Sequence, residues 1–158
     1  MNQGTLGFAA PEARILVVDD LAINIRLIKE LMSPCGVKTY ASLSGARAVE
    51  MVRRERYDLV FMDMMMPEMD GLETVSRIRE LGQGDGAGDL AEYFRRLPIV
   101  LLSASGFEGR DETLARLGVS DFIVKPIVAA RLFRVLERLL PPGKIIADDG
   151  PGAADPPA

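Results

Sequence analysis

The sequence contains no histidine. Without an imidazole there is no Ser-His-Asp triad, no histidine-based metal site and no side chain to act as a phosphohistidine donor. Cysteine is nearly as scarce. Cys35 stands alone, which excludes an internal disulfide and fits a reducing compartment. Positive charge is not in excess: 19 basic residues against 23 acidic ones leave a net charge of −4. Direct nucleic-acid binding is therefore not expected. No apolar run approaches the roughly 18–20 residues that cross a bilayer, and no basic stretch leads into an apolar one as in a signal peptide. The expectation is a cytoplasmic protein without membrane insertion. Its chemistry has to run on carboxylates, hydroxyls and lysines.

What is present fits one well-cored domain of 158 residues, with 48% hydrophobic and 27% charged side chains, close to the soluble average. Residues 1–12 are small and unpatterned and read as a disordered leader. The stretch 141–158 holds five of the ten prolines and few large apolar residues, and reads as a flexible tail. Between them, 13–140 is the folded domain. Continuous apolar runs lie at 15–18, 59–62, 99–102 and 122–124, with a weaker β-branched and aromatic run at 37–41. Such runs suit strands covered on both faces of a parallel sheet. Helical spacing falls between them: Leu27, Ile28, Leu31 and Met32; Val49 and Val52; Leu72, Val75 and Ile78; Leu114 and Leu117; Leu132, Val135, Leu136 and Leu139. Ser44 suits an N-cap, and Gly36 and Gly118 sit where helices should stop. The alternation predicts a doubly wound α/β fold, a five-stranded parallel sheet with five helices and right-handed crossovers.

In that architecture functional groups gather at the carboxyl ends of the strands. Asp19 and Asp20 follow the first run, and Asp63 follows the run at 59–62. Ser103 follows 99–102, and Lys125 with Pro126 closes 122–124. Three crowded carboxylates repel unless a cation or protons relieve them. Oxygen-only ligands favour Mg²⁺. A lysine and a serine beside them suit the oxygens of a phosphoryl group, and the set as a whole suits phosphoryl transfer onto a carboxylate. Taken singly, each residue has a plain structural reading as a cap, a local hydrogen-bonder or a common dipeptide. Their occurrence together on four strand ends does not.

Those residues carry a resemblance. ILVVDD at 15–20, MDMMMPEMDG at 62–71, LSA at 102–104 and DFIVKP at 121–126 resemble the receiver domain of bacterial response regulators, over roughly 13–140. The resemblance implies a flavodoxin-like fold with Asp63 as phosphoacceptor. Mg²⁺ (or Mn²⁺) would be bound by Asp20, Asp63 and the Met65 backbone carbonyl, and by Asp19 mainly through water. Ser103 and Lys125 would contact the phosphoryl oxygens, Ser103 and Phe122 would form the switch, and Lys125–Pro126 would be cis. It further implies a histidine kinase or histidine phosphotransfer protein as donor, an unidentified downstream protein partner, and no enzymatic activity beyond self-phosphorylation and dephosphorylation. Asn24 and the MPEMDG stretch resemble receivers of hybrid sensor kinases more than those of transcription factors. No DNA-binding motif follows the domain, so the output is expected to be protein–protein or to lie in a domain outside this chain.

Three features depart from the family pattern. Met65 replaces a polar residue two positions after Asp63, and Phe122 lacks the hydroxyl of a tyrosine. The connection at 81–97 is also long. Its glycine-rich part at 82–88 reads as mobile, while Leu90, Tyr93, Phe94 and Leu97 form a helical stripe that either packs back on the domain or docks a partner. The methionines at 62, 64, 65, 66 and 69 are read as packing rather than as a copper site. Two alternatives stand beside the receiver. One is a pseudo-receiver that binds partners without phosphorylation, which the intact Asp19, Asp20, Asp63, Ser103 and Lys125 oppose. The other is an Asp-nucleophile phosphatase of the haloacid-dehalogenase type, whose second aspartate two residues on is missing here.

Overall fold

Branched aliphatic side chains dominate the three central strands of the main sheet, and such side chains suit a pleated surface packed on both sides. The computed structural model describes residues 8–83 and 85–147. In chain order the elements are β1 (Phe8–Ala9), β2 (Arg14–Val18), α1 (Ala22–Met32), β3 (Lys38–Ser42), α2 (Gly45–Arg54), β4 (Leu59–Asp63) and α3 (Gly71–Glu80). They continue as α4 (Ala91–Arg96), β5 (Ile99–Ser103), α5 (Asp111–Arg116), β6 (Asp121–Val124), α6 (Ala129–Leu139) and β7 (Ile146–Ala147). Five strands pair in parallel in the order β3-β2-β4-β5-β6. Within this sheet the path begins in β2, steps out to β3, then returns past β2 to β4. The direction of winding therefore reverses between β2 and β4, the place where open α/β sheets bind their ligands.

Alternate residues of each central strand face opposite layers. Ile15, Val17, Leu59, Phe61, Val100 and Leu102 pack with α1 and α6. Leu16, Val18, Val60, Met62, Ile99 and Leu101 pack with α2 to α5. Both faces are apolar, which explains runs without alternation. Ser44 caps α2, its hydroxyl accepting from the Arg47 N–H at 3.1 Å, and Gly36 and Gly118 hold left-handed conformations where helices end.

Several expectations need correcting. The helices number six among the described residues, because the long connection folds into a 3₁₀ turn (Asp85–Leu90) and α4. Phe94 and Leu97 are buried in the second layer, so the stripe packs back on the domain. The run at 122–124 is not covered on both faces: β6 is an outer strand with only Ile123 buried, and Phe122 is 38% exposed. Leu27 points outward while Ile25 takes its place in the core, because burial follows the helix register Ile25, Ile28, Met32. The ends also differ from a disordered leader and tail. β1 and β7 form an antiparallel pair, Phe8 is buried against the α6 layer, and Lys144 bonds both oxygens of Asp58 at 3.1 and 2.9 Å. Phe8 and Ile145 supply the apolar surface, and Lys144 the ion pair, that hold these short segments. The remainder of the leader (1–7) and of the tail (148–158), including its acidic residues, lies outside the described residues. Among those described, no helix is long and apolar enough to cross a membrane.

Candidate functional site

Parallel pairing sets the ends of β2, β4, β5 and β6 side by side, and the sheet register fixes which residues meet. Val18 lies opposite both Ser42 and Met62, and Asp63 opposite Leu102. The next residue after Val18, Asp19, donates its N–H to the Ser42 carbonyl at 3.1 Å and is completely buried. Its Oδ1 accepts the Leu21 N–H at 2.9 Å and the Asn24 amide at 3.4 Å. Its Oδ2 has no hydrogen-bond partner among the described residues, although Lys125 Nζ stands 3.5 Å away. Asp20, beside it, is half-buried.

Asp63 ends β4 and is buried, with Oδ1 accepting from Lys125 Nζ at 3.0 Å. Burial pushes its carboxyl above the ordinary carboxylate range. The Lys125 hydrogen bond pulls the other way, the charge of Asp19 pushes up again, and the net direction is upward. The loop behind Asp63 is tightly built. Met64 donates to the Leu102 carbonyl at 2.8 Å, and Gly71 returns to the Met64 carbonyl at 2.9 Å. A Cβ on Gly71 would collide with the Asp63 carbonyl oxygen and the Met64 Cα, so glycine is required for this approach. Between them Glu68 adopts φ 68°, a left-handed conformation rare for a non-glycine residue, next to a tight Pro67–Met69 turn. Met65 exposes 74% of its surface over this loop. No hydrogen bond among the described residues reaches its carbonyl.

Ser103 ends β5, buried, its hydroxyl accepting the Ser105 N–H at 3.2 Å. The Lys125 N–H bonds the Ser103 carbonyl at 2.7 Å, which carries the lysine past the end of β6 toward the carboxylates. The Lys125–Pro126 peptide is cis. Phe122 lies farther back on β6, its ring 4.5 Å from that of Phe107.

The structure thus brings Asp19, Asp20, Asp63 and Lys125 together. Carboxylate oxygens of the three aspartates lie within 4.8 Å of one another, and among the described residues Lys125 is the one ammonium within 4 Å of any of them, 3.0 Å from Asp63 and 3.5 Å from Asp19. One positive charge does not balance three negative ones in a buried setting. The orphaned Asp19 Oδ2 adds a vacant acceptor, and every donor atom is oxygen. This set fits a hard divalent cation such as Mg²⁺. Ser103 and Phe122 sit on the flanking strands rather than in the carboxylate cluster. Two contributors were not singled out for these roles from the sequence: Asn24, which orients Asp19, and Gly71, which makes room for the loop behind Asp63. Asn24 is one helical turn past the aspartate pair, and that spacing is the signal for its role. Beside Lys125 a cavity of about 210 Å³ opens, lined by Asn24, Leu27, Ile28, Lys125, Pro126 and Ile127.

Comparison with known proteins bears on this arrangement. The family described as response regulator receiver domain matches residues 15–137. The sensor histidine kinase GacS of Pseudomonas protegens is 33% identical over 150 residues, which cover 95% of this chain and 15% of that protein. The polar-differentiation response regulator DivK of Brucella ovis is 26% identical over 126 residues, covering 80% of this chain and 94% of DivK. Among solved structures, the receiver domain of sensor histidine kinase PA1611 from Pseudomonas aeruginosa PAO1, with a magnesium ion coordinated in its active site cleft, is 31% identical. It superposes with a TM-score of 0.67 over 80% of this chain and 96% of that one. The chain therefore spans about one seventh of the GacS kinase and nearly all of the stand-alone regulator.

Proposed function

Because this chain belongs to the response regulator receiver domain family of two-component and phosphorelay systems, we propose that it accepts a phosphoryl group on Asp63 and presents a different protein-binding surface in each state. The observation that carries this reading is the Asp63 carboxylate, buried at the winding reversal, 3.0 Å from Lys125 Nζ and grouped with Asp19 and Asp20. An Asp63 oxygen attacks phosphorus of a phosphohistidine on a histidine kinase or phosphotransfer protein. The P–N bond breaks, its electron pair stays on the imidazole, and the new P–O bond leaves an acyl phosphate on Asp63. Lys125 holds Asp63 in place beforehand and pairs with a phosphoryl oxygen afterwards, and Ser103 donates its hydroxyl to another. Asp19, Asp20, Asp63 and the Met65 carbonyl would hold Mg²⁺ (or Mn²⁺), which supplies charge neutralisation for the phosphoryl oxygens when bound.

The donor partner reaches the site across the cavity beside Lys125, where Leu21, Ile23 and Leu27 expose an apolar face of α1 and its approach. In this reading the chain acts in the cytoplasm and catalyses no reaction other than its own phosphorylation and dephosphorylation. Acetyl phosphate with Mg²⁺ is the direct test. Mass spectrometry should find one added phosphoryl group, absent from Asp63→Asn, and Asp20→Ala should lose the Mg²⁺-dependent response while staying folded. A full-strength signal in Asp63→Asn would overturn the assignment.

A further inference from the structure

Among the described residues β6 has no strand beyond it, yet it carries the half-exposed Phe122 ring. Side chains hold its main chain instead. Asp121 Oδ1 accepts the Phe122 N–H at 2.8 Å. Arg131, in α6, donates through Nη2 to the Phe122 carbonyl at 2.7 Å and to Asp121 Oδ1 at 3.0 Å, and through Nη1 to Asp121 Oδ2 at 3.4 Å. Arg138, two turns on, donates to that same Oδ2. Both polar groups of the Phe122 main chain thus end in one ion-pair network joining β6 to α6. The planar fork of arginine holds the carbonyl and both carboxylate oxygens in one fixed geometry, whereas a lysine ammonium, a point charge on a flexible stem, does not impose that geometry. The ring itself is restrained by apolar contact alone, against Phe107 at 4.5 Å.

We propose that Arg131, with Asp121, is a positioning residue of the switch: it fixes the main chain of Phe122, so that a change at Asp63 turns the ring about its side-chain bonds instead of displacing the strand. The inference rests on the reading of Asp63 as acceptor. A strand released from this grip at the sheet edge lets the ring sample both positions whatever the state of Asp63, and the phosphoryl group loses control of the surface. Arg131 has no hydrogen bond or ion pair to Asp19, Asp20 or Asp63 or to the loop behind Asp63, so acceptance of the phosphoryl group does not depend on it.

The full chain, carrying ¹³C in its phenylalanine rings and with Phe122 assigned through F122L, provides the test. Spectra are recorded alone and with beryllium fluoride plus Mg²⁺ as a phosphoryl mimic. The parent should show one Phe122 signal that the mimic displaces. In R131M the signal should leave the parent position even without mimic, and the displacement should fall to half or less. Phosphoryl incorporation from acetyl phosphate should stay within twofold. R131K should restore only part of the displacement, and D121N should reproduce the loss where R131M does not fold. Parent-like Phe122 signals in R131M and D121N, with and without mimic, would overturn the proposal. A parent that neither incorporates phosphoryl nor responds to the mimic would overturn the reading of Asp63 instead. In that event the unliganded spectra still decide the grip, because an unchanged Phe122 signal in R131M sinks it.

Discussion

At the scale of single residues, the proposed acceptor is a charge held in an unfavourable place. Asp63 is buried beside Asp19, and the Lys125 bond does not fully offset the loss of solvation. Its carboxyl therefore titrates above its unfolded value. A group raised in this way favours the folded state below its unfolded pKa, ~3.9 for aspartate, and loses that contribution as pH rises through the folded value. Asp63→Asn removes the charge and should be more stable than the parent at neutral pH. A gain of about 1 kcal/mol corresponds to roughly 2–4 °C in Tm for a chain of this length. The difference should vanish below roughly pH 3.5, where both proteins are neutral at this position. Thermal melts at the two pH values check it, and a parent more stable than the variant at neutral pH would contradict it. The same imbalance favours the cation and the Lys125-paired phosphoryl group proposed for this site.

At the scale of elements, the connection at 82–97 is tied down by polar bonds that its apolar stripe did not reveal. The Tyr93 hydroxyl accepts the Tyr57 N–H at 2.8 Å and donates to the Glu55 carbonyl at 3.2 Å, linking α4 to the end of α2. Burial pushes that phenol up to about 12, so it remains a donor throughout the stable range. Arg79 of α3 donates to the carbonyls of Phe94, Leu117 and Gly118 at 3.0, 2.8 and 2.9 Å, joining the ends of α3, α4 and α5. Burial brings its guanidinium down to about 10, still protonated at neutral pH. Tyr93→Phe keeps the ring and leaves the Tyr57 N–H without its partner, a loss of about 1–2 kcal/mol. Urea unfolding should show a lower midpoint at unchanged slope. An unchanged midpoint would mean that water replaces the hydroxyl at no cost.

At the scale of the whole molecule, the two ends of the described chain are fastened to each other on the domain. β1 pairs with β7, Ala10 donates to the Cys35 carbonyl at 2.8 Å, and Asp58 gathers Lys144 and the Arg14 N–H. Phe8 is the apolar anchor of this clasp, buried with Leu140 and Cys35 in the α6 layer. Phe8→Ala should cost ~3 kcal/mol, at the lower end for a buried phenylalanine, and should speed hydrogen exchange at Ala9 and Ala147. Phosphoryl incorporation at Asp63, argued from the other end of the strands, should not change. A cost below ~0.5 kcal/mol, the range of surface substitutions, would show that the clasp does not hold.

How much of this was legible beforehand differs by kind of signal. The sheet, its parallel sense and the ends bearing Asp19, Asp20, Asp63, Ser103 and Lys125 were readable, because strand burial and strand termination are local properties of composition along the chain. Close contact of the three aspartates followed once the strands were taken as parallel. The uncovered face of β6 was not readable: a run such as FIV looks the same whether a helix covers it or not, and only the packing of neighbouring elements decides. Nor was the clasp, whose strands are two residues each and carry too little pattern to declare themselves until Phe8 meets the α6 layer. The grip of Arg131 on Phe122 and the anchoring of three helix ends by Arg79 are likewise decided in three dimensions. A long flexible cation acquires a role only when tertiary structure delivers carbonyl and carboxylate oxygens within its reach.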